Sequence, residues 1–88
     1  MRDRQPCVYL LASRRNGTLY VGVTADLPTR LQQHRDGLAG AFTTHYQVHL
    51  LVWYERHEEM ATAIVREKAI KRWRRVWKLQ LVECTNPY

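Results

Sequence analysis

The chain has 88 residues, of which 45% are hydrophobic and 25% charged, with 4 Gly and 3 Pro. This composition excludes a disordered, collagen-like or disulfide-scaffold protein and suits one compact domain over residues 1–88. Its formal net charge of +6 and pI of about 9.8 are the footprint of a polyanionic partner. So small a core favours a shallow surface site on a polymer over a large substrate cavity.

In chain order, Met1-Arg2-Asp3-Arg4 leads into a strand pattern with no apolar run of signal or membrane-spanning length, so a cytoplasmic protein without a membrane partner is expected. Val8–Ala12 and Leu19–Val23 read as strands around Arg14-Arg15-Asn16-Gly17, and Asn-Gly predicts a two-residue type I′ hairpin. That turn pairs Arg15 with Thr18, Ser13 with Tyr20 and Leu11 with Gly22. One face then carries Val8, Leu10, Ala12, Leu19, Val21 and Val23. The other carries Tyr9, Leu11, Ser13, Tyr20, Gly22 and Thr24, with the two tyrosines about 13 Å apart along the ladder and Gly22 leaving room between them.

A helix follows, with Asp26 as N-cap, Pro28 in the first turn, Leu27, Leu31 and Leu38 on the buried side, and Gly37 or Gly40 at its end. Arg30 and His34, four apart, share a helix face. Residues 39–47 read as a loop, and Val48–Tyr54 as a strand covered on both faces. A second helix is expected over 58–73 and a short third over 74–83. The order β-β-α-β-α-(α) predicts an α/β (α+β) fold, a small three-stranded antiparallel or mixed sheet flanked by helices. Cys7 and Cys84 form no C-x-x-C pair, and the 4 His lack zinc-finger spacing; both thiols are expected to be reduced.

Cleaving a phosphodiester requires a metal beside the phosphate, a group directing the proton of the attacking water, and positive charge where the transition state gathers negative charge. Between Arg66 and Lys78 there are seven cations (Arg66, Lys68, Lys71, Arg72, Arg74, Arg75 and Lys78) and one anion, Glu67. Lys68, Lys71, Arg72, Arg74 and Arg75 are the candidate nucleic-acid contacts; the ordinary reading of such a run is a solvated helix face. Glu67 projects from the same sector as Met60, Ala63 and Ile64, where a carboxylate requires compensation. An ion pair with Lys71 or Arg30 would supply it, and so would a hard metal such as Mg²⁺. Arg30 has the guanidinium fork that clamps a phosphate, and His34 titrates near neutrality. Each alone is more often a surface residue. Tyr9 and Tyr20 are ordinarily packing aromatics, and a tyrosine serves as a base only where cations or a metal lower its pKa from about 10.

Taken in order, these residues resemble a known family. Cys7-Val8-Tyr9, followed by Tyr20-Val21-Gly22, is similar to the paired G-I-Y and Y-I-G motifs of the GIY-YIG nuclease superfamily. The likeness continues through Asp26-Leu-Pro-Thr-Arg30-Leu-Gln-Gln-His34, Leu51-Val-Trp-Tyr-Glu55 and Arg66-Glu67-Lys68-Ala-Ile-Lys71-Arg-Trp73, and is nearest to small stand-alone bacterial members. It implies a metal-dependent DNA endonuclease, with structured or branched DNA among its candidate substrates. Tyr9 and Tyr20 would then activate or position water, Arg30 stabilise charge, His34 assist one turn later, and Glu67 bind a single Mg²⁺ or Mn²⁺.

Departures are Cys7 for Gly and Val8 and Val21 for Ile, all compatible with the strands they occupy. Glu55 is expected to be a structural acid at a strand end, and Asn86 is a further polar candidate. A chain this short lacks the accessory DNA-binding regions of many family members, so weak or partner-dependent activity is expected, from a monomer or weak dimer with a protein partner for substrate targeting. The competing reading is a nucleic-acid-binding module that uses the same basic surface without cutting.

Overall fold

A computed structural model describes residues 5–85; Asn86 lies outside them. The elements in order are β1 (Cys7–Ala12), β2 (Leu19–Thr24), α1 (Leu27–Arg35), α2 (Ala41–Tyr46), β3 (Leu50–Arg56), α3 (Met60–Lys71) and α4 (Arg75–Thr85). The three strands form one antiparallel sheet in the order β2-β1-β3. The expected α+β architecture is therefore present, with the sheet wholly antiparallel.

Alternation along the central strand divides the core. Val8 and Leu10 pack with Val21, Trp53, Ala63 and Ile70 on the α3 side, whereas Tyr9 and Leu11 pack with Val48, Tyr20, Leu27 and Leu31 on the α1 side. Every residue of β1 is buried, as befits a strand paired on both edges. Each fully buried aliphatic chain, such as Leu10 or Ile70 at 0% exposure, contributes about 1.5–3 kcal/mol of transfer free energy.

The hairpin differs from the two-residue turn expected at Asn16-Gly17. Leu11 pairs with Tyr20 and Tyr9 with Gly22, a slip of two residues. The Ser13 N–H donates to Thr18 O, and the Gly17 N–H donates to Arg14 O across a four-residue loop in which Asn16 takes the left-handed conformation (φ 59°). Since side chains alternate with a period of two, an even slip leaves every residue on its expected face. The tyrosines remain on one side, but closer than the expected ladder separation, with ring centroids 6.3 Å apart.

Asp26 caps α1 as expected: its carboxylate accepts from the Thr29 N–H at 3.3 Å and from the Thr29 hydroxyl at 2.8 Å. Gly37 (φ 74°) ends the helix, and the Leu38 N–H returns to Gln33 O, a Schellman closure. This turn carries Leu38 out of the apolar stripe, and it is 75% exposed rather than buried. The segment expected as a loop over 39–47 contains α2, whose Thr44 hydroxyl donates to Gly37 O and Gly40 O. β3 begins two residues later than expected and is an edge strand. Leu50, Leu51 and Tyr54 are exposed along it, contrary to coverage on both faces. Glu55 closes the strand end structurally, accepting from Arg66 Nε at 3.2 Å and contacting His57 Nε2 at 2.7 Å. Cys7 is buried, Cys84 exposed, and both are free. Among the described residues no helix is long and apolar enough to cross a membrane.

Candidate active site

The site lies on the α1 side of the sheet. The N-cap at Asp26 sets the start of α1, and His34, one turn after Arg30, projects onto Tyr9 and Tyr20 of β1 and β2. His34 is 3% exposed and Tyr9 2%, and the Tyr9 hydroxyl lies 3.0 Å from His34 Nε2. Tyr20 completes a three-ring cluster, its centroid 5.5 Å from His34 in an edge-on arrangement, a geometry favoured by the ring quadrupoles. His34 Nδ1 is buried with no hydrogen-bond partner among the described residues.

Gly22 has a different use from the one expected. A Cβ there would stand 2.4 Å from both Cζ and the hydroxyl oxygen of Tyr9. The space above Gly22 is thus filled by the phenol itself, which crosses the edge strand β2 to reach His34, and is not left open between the tyrosines.

The electrostatics also revise an expectation. Burial raises the Tyr9 pKa far above its ordinary value, and Tyr20 and Glu67 push it up further, while Arg30 pulls it down by less. Arg30 alone therefore does not convert Tyr9 into a base, and at neutral pH Tyr9 is a protonated phenol. Burial first, and then Arg30, lower the His34 pKa below its ordinary 6.5, so the imidazole is neutral at pH 7. These shifts also place the Arg30 and Glu67 charges within electrostatic reach of the Tyr9 hydroxyl. Tyr9, Tyr20 and His34 are thus in direct ring contact, whereas Arg30 on α1 and Glu67 on α3 act on the Tyr9 hydroxyl through their charges.

Glu67 comes from α3 and is 7% exposed. Its Oε2 lies 2.6 Å from Lys71 Nζ, which chooses Lys71 over Arg30 as its ion-pair partner. Among the described residues no group of three or more His, Cys, Asp or Glu side chains is arranged to hold a metal. A lone buried acid does not suit a caged Ca²⁺ or a structural Zn²⁺. It does suit a largely hydrated Mg²⁺ or Mn²⁺, which takes one or two protein carboxylates and fills its shell with water and phosphate. The half-exposed Lys71 chain can swing aside to free the carboxylate.

The cationic segment proves divided. Lys68 and Arg72 are exposed, with no side-chain hydrogen bond or ion pair among the described residues. Arg75 is tied to Gly17 O, and Arg74 lies over the Trp77 ring at 5.8 Å. The fully solvated cationic face is thus smaller than the residue run suggests. One neighbour of the site is not among the residues the sequence singles out: Phe42, on α2, whose ring is 6.2 Å from Tyr20 and 4.9 Å from Tyr46. The i, i+4 spacing of Phe42 and Tyr46 is the one signal that could have found it.

Comparison with known proteins agrees with this fold. Residues 5–80 match the family described as the GIY-YIG catalytic domain. A UPF0213 protein of Syntrophus aciditrophicus (strain SB) is 37% identical over 81 residues, 91% of this chain and 91% of that protein. Another, from Staphylococcus aureus (strain Mu3 / ATCC 700698), is 32% identical over 68 residues, 77% of this chain and 83% of its own. The solution NMR structure of a UPF0213 protein from Bacillus halodurans superposes with a TM-score of 0.58 at 28% identity, covering 96% of this chain and 89% of that one. Nucleases of this type act on nucleic acid and generally use divalent metal ions. With residues 5–80 matched and relatives aligned over most of its length, the chain belongs to the GIY-YIG catalytic-domain family.

Proposed function

We propose that this protein is a metal-dependent endonuclease that hydrolyses phosphodiester bonds in DNA, with structured or branched DNA among its substrates. The observation that carries the reading is the Tyr9–His34–Tyr20 ring cluster on the β1–β2 ladder, with the Tyr9 hydroxyl 3.0 Å from His34 Nε2 and the charges of Arg30 and Glu67 acting on that hydroxyl. Glu67 would hold Mg²⁺ or Mn²⁺, which when bound supplies Lewis-acid stabilisation of charge on the phosphate. Arg30 neutralises the charge that accumulates on the phosphoryl oxygens in the transition state.

Tyr9 and Tyr20 orient the attacking water. A phenol held protonated is a poor base unless its own proton can leave, and His34 Nε2 is the acceptor within reach at 3.0 Å. As water attacks phosphorus in line, its proton passes to the Tyr9 oxygen and the Tyr9 proton to Nε2. The leaving oxygen takes a proton from solvent. In this direction the resting ring proton is on Nδ1, and the low pKa of His34 ensures that the imidazolium gives up its extra proton after each turnover.

The rival reading, a binding module that does not cut, is favoured by the Glu67–Lys71 ion pair, because the acid is already compensated without a metal. Purified protein incubated with single-stranded, duplex and branched DNA in Mg²⁺ or Mn²⁺, beside Glu67→Ala, separates the two. The nuclease reading expects cleavage that the variant loses by at least about 10²-fold. Salt-sensitive binding without cleavage of any substrate selects the binding module, and equal cleavage by the variant removes Glu67 from the mechanism.

A further inference from the structure

The three rings of the site do not end at Tyr20. The row continues through Phe42 to Tyr46 and His45, with centroid separations of 6.2, 4.9 and 4.8 Å. Within α2 it leaves the buried interior: Phe42 is 47% exposed and Tyr46 49%. A short helix that holds two half-exposed aromatic rings side by side forgoes much of the burial they offer. Tyr46 also lines a cleft of about 550 Å³ between the hairpin loop and the start of α4, whose walls include Ser13, Arg14, Gln47 and Arg75. Rings connect the phosphate site to this cleft, and two cations border it.

We propose that the outer face of Phe42 and Tyr46 is a stacking subsite for one unpaired nucleobase, that of the nucleotide adjoining the phosphate at Tyr9 and Arg30, with the next phosphate entering the Arg14–Arg75 cleft. The proposal rests on the nucleic-acid reading above and narrows its substrate class to DNA that offers an unpaired nucleotide beside the cut. A π-face accepts every base, so the subsite selects for single-strandedness and not for sequence. The base lies on the rings and not between them. Insertion needs a gap of about 6.8 Å, two stacking steps of 3.4 Å, whereas Phe42 and Tyr46 are only 4.9 Å apart and tilted by 46°. A base within a continuous duplex has both faces covered by its neighbours and cannot use the platform. The cationic border and the formal charge of +6 favour a nucleic acid over an apolar protein segment as the occupant.

The test uses short single-stranded DNA carrying one 2-aminopurine, and its fully paired duplex, titrated with the full chain in chelator so that no cleavage occurs. Stacking on an aromatic ring quenches 2-aminopurine. Quenching is expected with the single strand and not the duplex. Phe42→Leu combined with Tyr46→Leu keeps apolar bulk but removes the rings, and should abolish the quench and weaken single-strand binding about tenfold. Tyr46→Phe should retain both. Circular dichroism of each variant establishes that it is folded, and Tyr46→Leu alone, which removes one exposed ring, should reduce the quench if the double variant is not. Quenching that persists in the folded double variant, or that is equal with duplex, overturns the proposal. So does ring-dependent self-association in sedimentation without DNA, which would make the platform an interface between copies. The two readings fail separately: cleavage without ring-dependent quenching sinks the stacking subsite alone, and ring-dependent quenching without any cleavage sinks the nuclease and leaves the subsite standing.

Discussion

At the scale of single residues, the site depends on one missing methyl group. The Tyr9 ring reaches His34 only because position 22 has no side chain, and a Cβ 2.4 Å from the phenol oxygen forces the ring or the strand to move. Gly22→Ala is therefore expected to cost about 1–3 kcal/mol of stability through overpacking. If Tyr9 and His34 act as proposed, it also lowers cleavage by roughly 10²-fold; denaturant midpoints and single-turnover rates measure the two effects. A variant that keeps full activity would show that the Tyr9–His34 contact is dispensable. His34 yields a second expectation with a definite sign. Its folded pKa lies below the ordinary 6.5, so the unfolded chain binds more protons as the pH drops past that value. Its neutral burial supports the fold above pH 6.5, and that support is lost as the pH falls through the lowered folded value. Urea midpoints should decline below about pH 6.5 in the native protein and more shallowly in His34→Gln.

At the scale of elements, α1 transmits the cap to the chemistry. Asp26 satisfies the Thr29 N–H and hydroxyl, and the helix it starts carries His34 onto the sheet. Asp26→Ala should lose about 1 kcal/mol of stability. It should also broaden the NMR signals of His34 before those of the distant Trp53; a uniform response would mean that the cap stabilises the fold without ordering the site. The same element shows what the sequence makes legible. Its start follows from Asp26 and Pro28 because capping is local chemistry. Its apolar stripe does not extend to Leu38 as the spacing suggests, since Gly37 turns the chain through a left-handed residue that periodicity does not register. The tyrosine face is readable despite the longer turn, because an even slip preserves alternation. α2 is not readable: it has six residues, its N-cap is Gly40 with no side chain to signal a start, and Thr43 and Thr44 weaken any helical signal. The exposed side of β3 is hidden for another reason, as an apolar run does not reveal that its strand sits at an edge. Nor does any one-dimensional pattern show that Tyr9 leans over Gly22, or that Lys71 and not Arg30 compensates Glu67. Those are contacts between elements, decided only by packing.

At the scale of the whole molecule, the +6 charge is not one uniform surface. Part of it holds the protein together: Arg66 bridges Glu55 and lies 5.2 Å from the Trp73 ring centre, and Arg75 joins α4 to the hairpin loop. Lys68 and Arg72 instead face solvent on α3, the helix that carries Glu67, and are the cations the proposed nuclease would offer to a bound strand. These two groups of cations are expected to respond differently to salt. Removing a cation that neutralises one phosphate reduces the magnitude of the slope of log K against log salt by about 0.7–0.9. Lys68→Ala with Arg72→Ala should therefore flatten the slope for DNA binding by about 1.5 while leaving thermal stability unchanged. Arg66→Ala should do the reverse, removing about 1 kcal/mol of stability through its partly buried ion pair and ring contact with an unaltered slope. Fluorescence anisotropy across a salt series, paired with melting curves, measures both. An unchanged slope in the Lys68/Arg72 double variant would move the bound strand off this face of α3, toward the Arg14–Arg75 cleft.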